Sequence, residues 1–305
     1  MTEERITLAW WNTGLSPGGK SRPEPSDFSI AQQVIDYLLD DLKVDFCALG
    51  EISSTDVNAI REHCAAREYS IHNGVESIGR SSFSTCFLVN EKKFAFQLNE
   101  ATIVSIESSN YRLAQKATLI SLNEESLFHL FISHWPSRLN CAAGAPLRAT
   151  LGGRLRDQVN KILDTNQLEN VILIGDFNDE PFDSSLSDHL RATRDRDLIK
   201  KKLSLLYNPF WRHFCHPKIS SKAPESEVKL ESWGTYHHKG GSLFQWRTFD
   251  QMMFSSSFLT SGTWHLNEAM TGIVNLDSYT SLVAEHKTNY DHLPIIATLE
   301  RNING

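Results

Sequence analysis

The sequence predicts an α/β protein in which two β-sheets pack together and helices cover them on the outside. Strand-like and helix-like patterns alternate along the chain, and the strand-like runs cluster in each half. Of the 305 residues, 40% are hydrophobic and 22% charged, which is enough apolar side chain to bury a full core. Because no internal repeat or long low-complexity segment divides the chain, we expect one domain over residues 1–305, with insertions around residues 191–246.

The spacing of apolar residues predicts the elements in order. The first strand places Ile6, Leu8 and Trp10 on one face and the residues between them on the other. Ser26 or Asp27 can cap a helix whose apolar residues recur at positions 30, 34, 38 and 42. Two more helices are predicted at residues 56–67 and 147–163, and further strands at residues 44–49, 84–89, 116–122, 127–133, 171–174, 248–254 and 292–299.

Charge and cysteine content narrow the function classes. The chain carries 30 Lys+Arg against 37 Asp+Glu, and its net charge of −7 argues against a protein that coats nucleic acid through a broad basic face. An enzyme that contacts a few phosphates remains compatible. The five cysteines are widely spaced and form no CxxC pair, so neither a disulfide framework nor a zinc knuckle is indicated. With no visible secretory signal or long apolar run, we expect a cytoplasmic protein.

Polar residues follow the predicted strands at the point where each strand ends. They are Asn12, Glu51, His134, the run Gly175-Asp176-Phe177-Asn178 and the run Tyr290-Asp291-His292-Leu293-Pro294. Taken singly, each has an ordinary explanation: an Asn can cap a turn, a Glu can begin a helix, and a lone His is more often a hydrogen-bonded core residue. Together they indicate an active site, because α/β proteins collect catalytic groups at the carboxyl ends of their strands.

This set of motifs resembles the endonuclease/exonuclease/phosphatase superfamily, whose members have the DNase I-like fold. The specific parts are the run GDFN at residues 175–178, the run DHLP at residues 291–294, and residues 248–252 between them. The run HWPSR at residues 134–138 and the run GTY at residues 234–236 look like bacterial members of the superfamily. The resemblance implies a four-layer α/β sandwich of two packed mixed sheets flanked by helices.

The resemblance also implies a Mg²⁺-dependent phosphodiester hydrolase, in which Mn²⁺ is expected to substitute for Mg²⁺. A hard divalent cation prefers oxygen ligands and keeps several waters, so one or two carboxylates suffice to hold it. Glu51 is the principal candidate ligand, with Asn12 and Asp291 at the rim of the metal site. His292 is the candidate general base, because an imidazole can accept a proton near neutral pH when a carboxylate, here Asp250, stabilises the imidazolium.

The remaining expected roles concern the water and the phosphate. Asp176 would orient the attacking water or its metal, and Asn178 would donate a hydrogen bond to a phosphoryl oxygen that gains charge in the transition state. His134 would supply a donor on the opposite side of the phosphorus. Arg138 and Arg112 would pair with phosphate, because a planar guanidinium can bind two oxygens at once.

One position departs from the family pattern. Pancreatic-type DNases pair their mid-chain histidine with a glutamate on an earlier strand, and in this sequence Thr85 falls at that glutamate's position. A neighbouring family tyrosine falls on Phe83. His134 would then have no carboxylate partner, and the way those enzymes grip duplex DNA does not transfer to this chain. The residues that carry the hydrolysis itself are unaffected.

The residues between the motifs bear on the substrate. A cluster of basic residues is followed by a cluster of aromatic residues. The basic residues are Arg191, Arg194, Arg196, Lys200, Lys201 and Lys202, and the aromatic residues are Tyr207, Phe210, Trp211 and Phe214. Such a sequence suits the binding of a nucleic-acid strand. It suits equally well a solvated helix face followed by a segment that packs on the core. A second aromatic-rich loop at residues 236–246 could line the cleft rim or pack against the core.

We favour a nuclease that acts on DNA more than on RNA. The first alternative keeps the same catalytic core and changes the substrate to a phospholipid or a small phosphorylated molecule, hydrolysed by a phosphatase or phosphodiesterase. The second alternative is a catalytically silent binding module, against which the presence of every core residue type argues.

Overall fold

The computed structural model describes residues 2–17, 25–79, 81–106, 109–124, 126–166, 168–214, 233–240, 245–285 and 288–303. Its strands, in chain order, are β1 (Thr2–Asn12), β2 (Phe46–Gly50), β3 (Tyr69–Asn73), β4 (Glu76–Ile78), β5 (Ser81–Phe83), β6 (Thr85–Asn90), β7 (Phe94–Ile106), β8 (Ser109–Ser121), β9 (Leu127–His134), β10 (Asn170–Asp176), β11 (Ala192–Thr193), β12 (Leu206–Tyr207), β13 (Tyr236–His237), β14 (Trp246–Arg247), β15 (Asp250–Phe254), β16 (His265–Ile273) and β17 (Ile295–Ile303).

Within the described residues, five α-helices and four short helical turns connect the strands. The helices are α1 (Pro25–Asp36), α2 (Ser54–His63), α3 (Pro146–Leu163), α4 (Arg196–Lys201) and α5 (Asp277–Ala284). The turns are Tyr37–Asp41, Ser185–His189, Pro209–Phe214 and Ser256–Leu259. No helix in the described part of the chain is long and apolar enough to cross a lipid bilayer.

The strands form two large mixed sheets. The first has six strands in the order β16-β17-β1-β2-β6-β3, and the second has seven in the order β11-β12-β15-β10-β9-β8-β7. Within them β1 is parallel to β2, β9 to β10 and β11 to β12, whereas the other pairs are antiparallel. Two small ribbons, β4–β5 and β13–β14, stand beside the large sheets.

The layers follow from the alternation of side chains along each strand. Ile6, Leu8 and Trp10 point from β1 into a core that they share with Ile172 and Met252 of the second sheet. The opposite face of the first sheet packs against α1, α2 and α5, and the opposite face of the second sheet packs against α3. The order helix, sheet, sheet, helix confirms the predicted fold class.

The elements that apolar spacing did not predict include the longer strands β7 and β16, the outer strand β3, and the helices α4 and α5. The side chains of β7 are mostly exposed or half-buried because it is the edge strand of the second sheet, so it lacks a continuous apolar face. The helix predicted at residues 56–67 begins two positions earlier, at Ser54, because Ser53 and Asp56 form a capping box.

The region of the expected insertions contributes to the edge of the second sheet through β11, α4 and β12, and later forms the β13–β14 ribbon. The Lys/Ser/Glu-rich loop at residues 216–232 lies outside the described residues. Where the insertions begin and end stays a prediction.

Candidate active site

The parallel strand pairs bring the predicted polar residues to one edge of the molecule. Asn12 ends β1 directly opposite Gly50 at the end of β2, and His134 ends β9 directly opposite Asp176 at the end of β10. The antiparallel neighbour β15 begins at this same edge, where Asp250 lies opposite Asp176. Strand register therefore gathers residues that are distant in the sequence.

Asn12 connects the two sheets at this edge. Its Nδ2 donates to Asp176 Oδ2 at 3.3 Å and to Glu51 Oε1 at 3.4 Å. His134 Nε2 faces the same two carboxylates, at 3.7 Å from Glu51 Oε1 and 3.8 Å from Asp176 Oδ2. Glu51 itself has a φ of 54°, so the chain turns sharply after β2 to direct this residue into the site.

His292 and Asp250 form a buried hydrogen-bonded pair. The His292 Nδ1 lies 2.7 Å from Asp250 Oδ2, and the other Asp250 oxygen accepts from Trp10 Nε1 at 2.7 Å. The His292 Nε2 lies 3.9 Å from both Asp176 Oδ2 and Asp291 Oδ1, which is beyond hydrogen-bonding distance. One ring nitrogen is thus held by the protein and the other faces the carboxylates.

The site is rich in buried negative charge. Burial raises the pKa of Glu51 and of Asp291, and burial together with the nearby Asp250 raises the pKa of Asp176 to about 7. Burial alone would lower the pKa of His292, but the charges of Asp250, Asp176 and Asp291 outweigh it and raise that pKa to about 10. The imidazolium of His292 is the counter-charge of this cluster.

His134 differs from His292 in its surroundings. Burial and the positive charge of Arg112 hold the pKa of His134 well below its usual value, so this ring is neutral. Its buried Nδ1 has no hydrogen-bond partner among the described residues. Thr85, at the position of the family glutamate, donates instead to the side chain of Gln115. Among the described residues, no carboxylate takes the place of the glutamate that pairs with this histidine in pancreatic-type DNases.

The two predicted phosphate-binding arginines have different surroundings. Arg138 donates from Nε to the Asn178 carbonyl at 3.0 Å, pairs through Nη2 with Asp183, and lies over the Phe249 ring at 4.7 Å. It therefore braces the loop after β10 instead of presenting a free guanidinium to the site. The charge of Arg112 acts on Glu51 and Asp176, and one of its nitrogens donates to the Ser82 carbonyl at 2.9 Å.

The GDFN run forms the tight turn that carries Asp176 and Asn178. Gly175 has a φ of 147°, and a Cβ at this position would lie 1.8 Å from the Ser133 carbonyl oxygen, so only glycine fits against β9. Asn178 has a φ of 51°, its backbone N–H donates to Asp176 Oδ1 at 2.8 Å, and its Nδ2 donates to the Trp135 carbonyl at 3.1 Å. One amide N–H of Asn178 is used in this way.

The donor set fits a hard divalent cation. Among the described residues, the ion-pair partner of Glu51 within 4 Å is the neutral His134, so the carboxylate charge is left for a cation. Asp176, Asp250 and His292 can each bring one ligand atom within 4.8 Å of the others. Both oxygens of Asp250 and both oxygens of Asp176 already accept hydrogen bonds from the protein, whereas Glu51 accepts a long one, at 3.4 Å, on Oε1. Glu51 is therefore the best carboxylate donor.

A cavity of about 280 Å³ opens beside Glu51 and gives the site access to solvent. Its lining residues are Gly14, Leu15, Pro17, Asp27, Glu51, Asn289, Tyr290 and Asp291. Their charged members are all acidic. This side of the site therefore suits a cation or an uncharged polar group, and not a second phosphate.

Two residues of the site were not predicted from the sequence. The sequence pattern indicated Trp10 only as an apolar residue of the first strand. Its hydrogen bond to Asp250 depends on the packing of one sheet on the other. Arg148, fully buried in α3, donates to the carbonyls of Pro136 and Cys141 and, at 3.4 Å, to that of Phe177. It joins the loop after β9 to the loop after β10. No sequence signal distinguishes Arg148 from the other arginines of that helix.

The basic and aromatic cluster is divided between the core and the edge of the second sheet. Tyr207 and Phe210 are buried in the core between the sheets, and Tyr207 lies opposite Phe254, at the end of β15 away from Asp250. Packing on the core, one of the two alternatives, is thus what the structure shows for these two aromatics. Trp211 is half-buried next to Arg194, and the side chain of residue 214 lies outside the described residues.

Two mixed sheets carry carboxylates, an Asp–His pair and neutral donors at one edge, an arrangement that suits the hydrolysis of phosphoester bonds. A model of the endonuclease/exonuclease/phosphatase family matches residues 29–294, and the chain belongs to this family. Members of the family hydrolyse phosphoesters and generally use divalent metals. No curated protein matches the chain in sequence.

Several solved structures share the fold over nearly their whole length. The catalytic domain of human Nocturnin, solved with a bound sulfate anion, superposes with a TM-score of 0.59 at 13% identity, covering 98% of this chain and 95% of that one. Truncated TDP2 of Caenorhabditis elegans gives 0.57 at 16% identity, with 97% of each chain covered. A mannosyl-6-phosphatase of Bacteroides thetaiotaomicron gives 0.55 at 14% identity, covering 96% and 99%. At these identities the likeness concerns the fold.

Proposed function

We propose that the protein is a Mg²⁺-dependent phosphodiesterase that cleaves DNA, with His292 as the general base. The observation that carries this proposal is the buried Asp250–His292 pair, whose free Nε2 faces Asp176 and Asp291 at 3.9 Å. A base needs one nitrogen fixed and a second, unprotonated nitrogen that water can reach, and the bond to Asp250 fixes Nδ1. In the metal-free protein the surrounding carboxylates keep His292 protonated. A divalent cation held by Glu51 would offset their charge and lower the pKa of His292, so that Nε2 could accept a proton.

The other residues of the site have separate proposed roles in the reaction. Asp250 stabilises the imidazolium that forms when His292 takes a proton from the attacking water. Asp176 orients that water, because its Oδ2 faces both His292 and the amide of Asn12. Glu51, with Asn12 and Asp291 or Asp176, would hold a divalent cation, which would supply positive charge to the non-bridging oxygens.

Three other groups near Asp176 are the proposed donors for the phosphoryl group. His134 Nε2 is a neutral donor, Asn178 retains one amide N–H beyond its bond to Trp135, and Arg112 adds positive charge. Arg138 acts indirectly in this proposal, since its bond to the Asn178 carbonyl holds the turn in place.

A second candidate is a phosphatase or phosphodiesterase of a small phosphorylated molecule. It is favoured by the size and charge of the cavity beside Glu51, which holds about 280 Å³ between acidic side chains. An uncharged, hydroxyl-bearing leaving group would fit there without meeting a like charge. This candidate uses the same catalytic core and the same roles.

The test is hydrolysis of supercoiled plasmid and of p-nitrophenyl phosphate by the purified protein with Mg²⁺. We expect nicking of the plasmid, and we expect Glu51→Gln, Asp176→Asn and His292→Gln each to lower its rate by at least about 100-fold. Glu62→Gln, an exposed acid in α2, is the matched control and keeps the wild-type rate.

The outcomes separate the candidates. Hydrolysis of the monoester without nicking, and with the same dependence on Glu51 and His292, would favour the second candidate. No hydrolysis of either substrate with Mg²⁺ or Mn²⁺ would contradict both. Wild-type turnover in His292→Gln would contradict its role as the base.

A further inference from the structure

A segment from the expected insertion region is attached to both halves of the Asp–His pair. The Asp250 N–H donates to Thr235 Oγ1 at 2.9 Å, which links the segment to β15. On its other side the Leu293 N–H donates to the Thr235 carbonyl and the His237 N–H donates to the Asp291 carbonyl, each at 2.7 Å. Residues 235–237 are therefore bonded on both sides of the expected base.

The side chain of Tyr236 extends from this segment across the face of His292. The two ring centroids are 4.7 Å apart and the planes are tilted by 42°. The Tyr236 ring also stacks on Phe249, at 5.3 Å and 14°, and the Arg138 guanidinium lies over Phe249 at 4.7 Å. The Tyr236 ring is thus held between the imidazole and a buried, capped aromatic side chain.

We propose that Tyr236 is a positioning residue for His292. The inference rests on the proposed role of His292 as base. The hydrogen bond to Asp250 fixes one atom of the imidazole, Nδ1, and still allows the ring to tilt about that bond. A flat ring in van der Waals contact with the imidazole face blocks the tilt. Nε2 then stays directed at the space beside Asp176 and Asp291.

The ring, and not the hydroxyl, carries this role. The Tyr236 hydroxyl lies 3.3 Å from Nδ1 of His238, which is two residues further along the same segment. Burial and the charges of Asp291, Asp176 and Glu51 raise the pKa of Tyr236 to about 12, so the hydroxyl is neutral and contributes no charge to the base. Removing the hydroxyl should leave the contact with the imidazole intact.

The experiment compares Tyr236→Phe and Tyr236→Leu with wild type in Mg²⁺-dependent hydrolysis of bis(p-nitrophenyl) phosphate. We expect the phenylalanine variant to keep kcat within about 3-fold. The leucine variant should lose about 10- to 100-fold in kcat with KM within about 2-fold, because a base misplaced by about 1 Å costs a factor of that order. If the leucine variant does not fold, Tyr236→Met takes its place.

A double variant separates positioning from a general structural effect. If Tyr236 acts through His292, Tyr236→Leu should lower the residual rate of His292→Gln by less than about 2-fold, because the group it positions is already absent. Tyr69→Leu is the matched control. Tyr69 is also partly buried, lies on the outer strand β3, and should leave kcat unchanged.

Four results would overturn the inference: wild-type kcat in Tyr236→Leu, equal losses in the phenylalanine and leucine variants, a rise in KM with kcat unchanged, or full additivity with His292→Gln. A different result, wild-type kcat in His292→Gln itself, would remove the proposed base and leave hydrolysis to another residue. The failure of the inference and the failure of the proposed function are therefore distinguishable.

Discussion

Among single residues, the charge of His292 is set by its neighbours more than by its own burial. The chain surrounds a fully buried imidazole with Asp250, Asp176 and Asp291, and its pKa rises to about 10. His134, a few ångströms from Glu51, has no carboxylate on its Nδ1 and stays neutral. Of the two histidines in this site, His292 is thus charged and His134 is neutral.

This difference predicts how the stability of the metal-free protein depends on pH. The pKa of His292 rises from 6.5 in the unfolded chain to about 10 in the fold, so its contribution is complete below pH 6.5 and is lost as pH rises through 10. We expect the free energy of unfolding to fall between pH 7 and pH 10. Urea denaturation in the presence of a chelator measures it at each pH.

The controls for this measurement are two histidine variants. His292→Gln should remove most of the slope between pH 7 and pH 10, because it removes the titrating group. His265→Gln, an exposed histidine at the start of β16, should keep the wild-type slope. An unchanged slope in His292→Gln would show that another group causes the pH dependence.

At this scale the sequence predicted which residues meet at one edge of the sheets better than it predicted their hydrogen-bond partners. Asn12, Glu51, His134 and Asp176 converge as expected, because strand ends that share an edge must meet. The bracing role of Arg138 was not predictable. A basic residue after a strand has the same appearance in a sequence whether it binds a phosphate or, as here, a carbonyl and a carboxylate.

Among elements, α3 shows a packing feature that a sequence pattern does not determine. The helix was predicted at nearly its observed length, but its adjacent glycines, Gly152 and Gly153, are equivalent in the pattern. In the structure Gly152 faces the Ser185–His189 turn, where a Cβ would lie 2.0 Å from the Ser185 carbonyl oxygen, while a Cβ on Gly153 would meet nothing within 4 Å. The glycine that allows close packing can be identified only from the fold.

The two glycines predict opposite effects of the same substitution. Gly152→Ala should destabilise the protein by about 1–3 kcal/mol, because the turn must move away from the helix. Gly153→Ala should stabilise it by up to about 1 kcal/mol, because alanine has the higher helix propensity and the site is open. Urea denaturation of both variants tests the pair, and equal effects of the two substitutions would contradict the packing argument.

The strands β7 and β16, which were missed from the sequence, share a physical cause. β7 lies at the edge of its sheet and β16 at the edge of the other, so neither buries both faces. Apolar spacing detects a strand through the face that it buries, and an edge strand with mixed exposure gives a weak signal. Strands buried in the middle of a sheet, such as β2 and β10, were predicted to within a few residues.

For the whole molecule, the charge distribution argues against a broad surface for nucleic acid. The net charge is −7, and the densest basic run ends in the exposed residues Lys200, Lys201 and Lys202. These residues form the C-terminal end of α4, which packs by the far end of β15. Family resemblance predicted the four layers correctly. It could not place this cluster, because its position depends on how the 191–214 segment joins the sheet edge.

The position of this basic run predicts its effect on plasmid cleavage. Replacing Lys200, Lys201 and Lys202 together by Gln should change KM for supercoiled DNA by less than about 2-fold, because the run is remote from Asp176 and Asp250. Arg112→Gln is the comparison and should lower kcat/KM by at least about 10-fold. A large rise in KM in the triple variant would instead mean that DNA reaches from the site to the far end of the sheet.

The pairing of β1 with β17 has a consequence for protein synthesis. The two strands pair from Thr2 opposite Ile303 to Trp10 opposite Ile295, so the centre of the first sheet joins the beginning of the chain to its end. A ribosome delivers Asn12 early and His292 late, and until β17 emerges β1 keeps an unpaired edge. An incomplete nascent chain therefore carries a half-assembled site without His292, the proposed base, and we expect no hydrolysis until translation has passed β17.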